Sequence, residues 1–265
     1  MHKLTRHVCF SISPFLSFDS ESHCKFSFST SGDGLSIFFE LCVELAGQIN
    51  PTAGFIVNVN DIDEKVYQHV VPIFTKQLSQ YFQQGRHIGT LETAGLLKTA
   101  WQCLADKFSP ASLSKLTLLL NPFRKITIDC EDQKMIYYSE KFEFAATHKL
   151  WNDNLTEQRN YELFGKCANP SGHGHNYVAE VTIKTPPDRS GFSFGDFSRT
   201  VETHLTALVD HKNLNVDVPY FTKAIPTVEN IAAFAWEKLV GKFGNATLHC
   251  ITIWETNKTH CSYYG

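Results

Sequence analysis

Two pairs of segments in this chain read alike at a separation of about 137 positions, and that internal repeat constrains the fold more than any other feature. "TAGFIVNVNDIDEKV" (Thr52 to Val66) is echoed by "RSGFSFGDFSRTVE" (Arg189 to Glu202), each a Gly-Phe, a short apolar run, an Asp and a helical pattern. "TLETAGLLKTAWQCLADKF" (Thr90 to Phe108) is echoed by "TVENIAAFAWEKLVGKF" (Thr227 to Phe243), both opening Thr-x-Glu. Each half then closes on β-branched runs, "KLTLLLNPFRKITIDC" and "TLHCITIWETNKTHCSYYG". A chain of 265 residues can hold one large domain or two of roughly 130 residues. The repeat selects two, over 1–137 and 138–265.

The order within each half is two strands, two helices, two strands. In the second half Phe197, Val201, Leu205 and Leu208 form one apolar stripe at helical spacing, and Val228, Ile231, Ala232, Ala235 and Leu239 form another. Thr227 is placed to cap the latter helix. Strands joined by short turns pair antiparallel, so the expected class is α+β, each unit a four-stranded antiparallel sheet with two helices on one face. The other face needs cover, which predicts packing between halves or a homo-oligomer.

Composition removes several function classes. With 43% hydrophobic and 19% charged residues the chain is an ordinary globular one, and a net charge of −3 lacks the Lys/Arg excess that nucleic-acid binding needs. No apolar stretch approaches the roughly 20 residues that span a bilayer. "MHKLTRHVCFSISPFLSF" reads as a strand rather than a signal peptide, because Ser and Pro interrupt its apolar run, and a cytoplasmic protein is expected. The eight cysteines show no repeated short spacing and read as buried free thiols.

The chemistry is concentrated in the second half. In "CANPSGHGHNY" (Cys167 to Tyr177), His173 and His175 stand two apart at the start of a strand, so alternation points both imidazoles to one side. Catalytic zinc usually takes three protein ligands and keeps a fourth position open. His148, at the end of "EKFEFAATH", is the candidate third ligand. Satisfied histidines without metal are the alternative. Cys167 reads equally as a fourth ligand or as a nucleophile or base, with a plain buried thiol as the alternative. "LVDHKNLN" puts Asp210 directly before His211, a carboxylate and an imidazole suited to proton relay, although such pairs also occur by chance on surfaces. Glu255 follows the strand "CITIW".

"FGKCANPSGHGHNY", "LVDHKNLN", "PTVENIA" and "ITIWET", in that order, closely resemble the 6-pyruvoyl tetrahydropterin synthases and the related 6-carboxytetrahydropterin synthases, from about Lys141 to Gly265. The resemblance implies the tunnelling fold, whose units assemble into barrels with sites at their interfaces. It also implies zinc held by His148, His173 and His175, Cys167 as general base, and Asp210 with His211 completing the proton-transfer group. Glu255 would anchor the pterin through paired hydrogen bonds, and Thr227 and Glu229 match positions near it. The implied substrate is 7,8-dihydroneopterin triphosphate, converted to 6-pyruvoyl-tetrahydropterin with loss of triphosphate. The five residues between Cys167 and His173 suit the pyruvoyl type better than the carboxy type, which serves queuosine-type deazapurine synthesis. The loop "WNDNLTEQRNYELFGKC" carries no strong basic cluster for a triphosphate. A non-catalytic pterin-binding or structural zinc protein is the reading from another class.

The first half has lost these residues. The repeat sets Leu16, Asp33 and Leu35 against His148, His173 and His175, and Phe74 and Thr75 against Asp210 and His211. Asn121 falls near Glu255, and only Thr90 and Glu92 survive. A degenerate unit without zinc or catalytic residues is expected, and one zinc per chain.

Overall fold

The computed structural model describes residues 1–14, 35–187 and 193–265. The chain divides into two compact units, Met1–Tyr138 with Thr185–Ser190, and Ser139–Lys184 with Gly191–Gly265.

In the first unit β1 (His2–Ile12) and β2 (Ile37–Gly47) pair antiparallel, from His2 opposite Gly47 to Ile12 opposite Ile37. Helices α1 (Val59–His69), α2 (Val71–Gln83) and α3 (Thr90–Leu104) follow, then β3 (Ser112–Asn121) and β4 (Arg124–Asp129), with sheet order β1-β2-β3-β4. Alternation separates the two faces. Val8, Phe10, Ile12, Phe39, Leu41, Val43 and Leu45 are buried, and Phe74 of α2 packs edge-on against Phe10 and Phe39 at 5.9 and 5.7 Å. The opposite face is polar, with ion pairs from Lys3 to Glu44 at 3.0 Å and from Lys115 to Asp129 at 3.2 Å.

The expectation of two helices is corrected to three here. The first is broken at Val70 because Pro72, in the opening turn of α2, has no N–H to return to the carbonyl four residues back. Gly89 is the N-cap of α3, and Glu92 reaches back to accept from the Gly89 N–H at 3.0 Å.

The second unit begins with β5 (Ile136–His148), α4 (Glu157–Phe164), a tight turn at Gly165–Ala168 and β6 (His173–Thr185). Then come α5 (Phe194–Val201), a wide π-turn at Glu202–Thr206, α6 (Ala207–Val209), β7 (Lys212–Asn213) and α7 (Leu214–Asp217). It ends with α8 (Val228–Leu239), β8 (Thr247–Thr256) and β9 (Thr259–Tyr263). The sheet order is β5-β6-β8-β9, with the short β7 lying parallel to β5. Helices α4 and α7 and strand β7 are additions to the expected element order.

The π-turn corrects the first apolar stripe. Phe197, Val201 and Leu205 are buried as expected, but Leu208 is 40% exposed and Val209 takes the buried place. One extra residue per π-turn moves the stripe by one position. The second stripe is buried throughout, and the Thr227 hydroxyl accepts from the Asn230 N–H as the N-cap of α8. The cysteines among the described residues are free, yet only Cys250 is buried, so the expectation of buried thiols is corrected to half-buried ones for most and an exposed Cys130. No described helix is long and apolar enough to cross a membrane.

Candidate metal centre and active site

Strand alternation puts His173, His175 and Tyr177 of β6 on the core side, where β5 ends in His148. Tyr177 is fully buried and stacks on Phe144 at 5.0 Å, giving the three imidazoles a rigid floor. Gly172 makes the approach possible. Its φ is +67°, and a Cβ there would lie 2.9 Å from the His148 carbonyl oxygen, so the chain entering β6 passes against the end of β5 only with glycine.

The three imidazoles converge. Their ligand nitrogens all lie within 4.8 Å of one another, and His148 Nε2 is 3.0 Å from His173 Nε2. His148 Nδ1 lies 2.7 Å from the Pro226 carbonyl oxygen, and a carbonyl only accepts, so Nδ1 carries the proton and Nε2 presents its lone pair. That backbone contact is the orienting partner a metal-binding histidine normally has. Burial first, and then the neighbouring imidazoles, lower the basicity of His148 and His173, which keeps them neutral near pH 7. His173 Nδ1 and His175 Nε2 are buried without a hydrogen-bond partner. Three converging imidazoles, two of them with a buried nitrogen left without a partner, suit a borderline divalent cation such as zinc.

Glu255 stands beside this cluster. Its Oε1 is 3.6 Å from Nε2 of both His148 and His175. Cys167 lies in the turn Gly165–Ala168, half-buried and outside the histidine group, and its carbonyl accepts from the Leu150 N–H at 2.9 Å. Thr227 is half-buried at the start of α8, and Glu229 is exposed in the first turn of that helix.

Asp210 and His211 are held on the edge of β5. Asp210 Oδ1 accepts from the Ala145 N–H at 2.9 Å and Oδ2 is 2.9 Å from His211 Nδ1, while the His211 N–H donates to the Ala145 carbonyl at 2.6 Å. Those hydrogen bonds, the Ala145 amide foremost, hold the Asp210 carboxyl below its usual range. His211 has a φ of +56°, uncommon outside glycine, and its side chain is 83% exposed. An ionised carboxylate on Nδ1 leaves Nε2 free to exchange a proton.

Two cavities flank the cluster. One, of about 420 Å³, is lined by His175, His211, Ala145 and Asn176 among others. The other, of about 630 Å³, is bordered by His148 and carries Lys149, Trp151, Asn152 and Lys223. Sequence reading missed four contributors: Tyr177, the Pro226 carbonyl, Lys149 and Lys223. Pro226 and Lys223 sit in or beside "PTVENIA", but nothing in the sequence told that they fold back onto β5. The Leu16 and Asp33 positions lie outside the described residues; Leu35 is exposed. Phe74 is buried, and Asn121 caps the β3–β4 turn by accepting from the Phe123 and Arg124 amides.

Residues 137–265 match the family profile described as 6-pyruvoyl tetrahydropterin synthase. A 6-pyruvoyl tetrahydrobiopterin synthase of Homo sapiens is 35% identical over 130 residues, spanning 48% of this chain and 90% of the relative. A 6-carboxy-5,6,7,8-tetrahydropterin synthase of Aquifex aeolicus is 27% identical over 157 residues, spanning 47% of this chain and 95% of the relative. Among solved structures, the 6-pyruvoyl tetrahydropterin synthase of Caenorhabditis elegans is 32% identical at a TM-score of 0.46, covering 49% of this chain and 96% of its own.

Proposed function

The chain belongs to the 6-pyruvoyl tetrahydropterin synthase family, and on that premise we propose that it is a zinc-dependent carbon–oxygen lyase converting 7,8-dihydroneopterin triphosphate to 6-pyruvoyl-tetrahydropterin with release of triphosphate. The observation that carries this reading is the convergence of His148, His173 and His175, with buried, unpartnered nitrogens on His173 and His175. In this reading residues 138–265 are the catalytic unit, and 1–137 are a degenerate tandem copy of the tunnelling fold. The pyruvoyl product is favoured by the five-residue gap from Cys167 to His173 and by the higher identity to the human synthase than to the carboxy-type relative.

His148, His173 and His175 would hold the zinc, which when bound supplies Lewis acidity toward the substrate's side-chain hydroxyls. Cys167, as a thiolate, takes a proton from the side-chain carbon. His211 gives or receives protons through Nε2 while Asp210, 2.9 Å from Nδ1, fixes its tautomer. Glu255 accepts paired hydrogen bonds from the pterin 2-amino and ring N–H groups, and Thr227 and Glu229 flank that ring. Lys149 and Lys223, which share the larger cavity, supply positive charge for the departing triphosphate. The exposure of His211 supports a site completed by another copy of the chain in a homo-oligomer.

The test is incubation of zinc-loaded protein with 7,8-dihydroneopterin triphosphate and identification of the pterin by mass spectrometry. The 6-pyruvoyl product is expected. A 6-carboxy product would transfer the chain to the carboxy type, and absence of turnover with full zinc occupancy would overturn the catalytic reading.

A further inference from the structure

A second group of metal-ligating side chains stands in the first unit, on the polar face of its sheet. His7 and Cys9 alternate on β1, and Glu40 and Cys42 alternate on β2. The register sets His7 directly opposite Cys42 and Cys9 directly opposite Glu40, so all four side chains share one face. His7 Nδ1 is 2.5 Å from Glu40 Oε1 and 3.3 Å from Cys42 Sγ, and the ligand atoms of these three all lie within 4.8 Å of one another.

We propose that His7, Glu40 and Cys42, with Cys9 beside them, form a second metal site, in the first unit, for a divalent cation of the zinc class. Imidazole, thiolate and carboxylate are all zinc ligands, and one thiolate with one carboxylate neutralises the ion's double charge. Tetrahedral zinc at ordinary bond lengths separates a nitrogen from a sulfur ligand by roughly 3.6 Å and from an oxygen by roughly 3.4 Å. The His7–Cys42 spacings, 3.3 Å from Nδ1 and 3.8 Å from Nε2, bracket the first figure. The carboxylate needs to swing back by roughly 1 Å to meet the second, and the His7 side chain, 56% exposed, is free to follow it. Cys9, directly opposite Glu40 in the register, is the natural fourth donor.

The site is not a remnant of the histidine cluster. The repeat that sets Leu16 against His148 sets His7 against Ser139, and the one that sets Leu35 against His175 sets Cys42 against Thr182. Ser139 and Thr182 do pair in the second unit, hydroxyl to hydroxyl at 2.8 Å, which supports that alignment. The second unit therefore has a plain hydroxyl pair where the first has histidine and thiol. In the second unit the histidines lie on the core side of the sheet, whereas His7 and Cys42 are on the polar side of theirs. The expectation of one zinc per chain rested on the positions matching His148, His173 and His175; this site lies elsewhere and raises it to two.

The experiment titrates the reduced, metal-depleted full chain with Zn²⁺, and in parallel with Co²⁺ to read the thiolate-to-cobalt charge-transfer band. Two equivalents are expected for the parent chain and one for His173→Ala, which spares the first-unit group. Cys42→Ser should lower the parent stoichiometry to one and abolish the band in the His173→Ala background. His7→Gln, at an exposed side chain, should keep the fold and weaken the first-unit site by at least roughly 100-fold, since even outer partners of metal ligands contribute up to that factor. Saturation of the parent at one equivalent overturns the proposal, as does a charge-transfer band or second equivalent that survives Cys42→Ser.

Discussion

Replacing Gly172 by alanine separates a backbone preference from a close approach, because a second glycine in the same unit supplies the control. Gly172 has φ of +67° and Gly241 has φ of +74°, so alanine is strained at both, by roughly 1–2 kcal/mol. A Cβ at Gly241 meets nothing within 4 Å, whereas at Gly172 it lies 2.9 Å from the His148 carbonyl oxygen and 3.4 Å from its carbon. Backbone cannot rotate away as a flexible side chain can. Overpacking of this kind costs a further ~1–3 kcal/mol and pushes the end of β5 outward. Gly241→Ala should therefore lose roughly 1–2 kcal/mol in urea denaturation at unchanged slope, and Gly172→Ala should lose visibly more. Because the displaced residue is His148, zinc affinity should also fall in Gly172→Ala, by roughly tenfold or more, and stay unchanged in Gly241→Ala. Equal stability losses in the two variants, or parental zinc binding by Gly172→Ala, would refute the reasoning.

Cys167→Ala should abolish turnover while leaving the zinc held by His148, His173 and His175, and metal analysis of the purified variant checks it; loss of that zinc would make the thiol a ligand. Glu255→Gln should raise KM for the pterin substrate by roughly tenfold or more, since one charge-assisted contact contributes on the order of 1.5–3 kcal/mol, and an unchanged KM removes Glu255 from the pterin site. The metal-free protein should lose stability as pH falls below the ordinary histidine value of 6.5. His148 and His173 have lowered folded pKa values, so below 6.5 the unfolded chain takes up their protons first, and the loss levels off beneath the folded values. Urea midpoints across that window should fall less steeply in His148→Gln, and an identical slope would show that these histidines do not set it.

Legibility in the sequence followed the range of the interactions. The His-x-His alternation and the β5 end were readable because strand period two acts over neighbouring residues, and so was the α8 cap at Thr227. The break before α2 was equally local, since Pro72 stands in plain view, yet the apolar periodicity on either side masked it. The Leu208-to-Val209 exchange was not readable: apolar spacing assumes a regular α-helix, and the π-turn adds one residue to it. Nor could spacing reveal that the Pro226 carbonyl meets His148, across 78 positions of chain.

The "DHKNLN" segment joins architecture to chemistry. Asp210 and His211 together take both the donor and the acceptor of Ala145, β7 pairs with Ala146 and Thr147, and Asn215 accepts from the Lys149 N–H at 2.7 Å and donates to the Lys149 carbonyl at 2.9 Å. The clasp therefore covers the end of β5 from Ala145 and the Lys149 that follows it, and has His148 inside it. A segment that orients the proposed proton-relay pair thus also restrains a proposed metal ligand, so a change to one is expected to disturb the other. In the first half the aligned residues "FTKQL" run as the interior of α2, where Phe74 fills the core against Phe10 and Phe39 instead of binding a strand edge. A buried phenylalanine can replace the packing that such a clasp provides, but it has no polar atom with which to hold a strand end or move a proton.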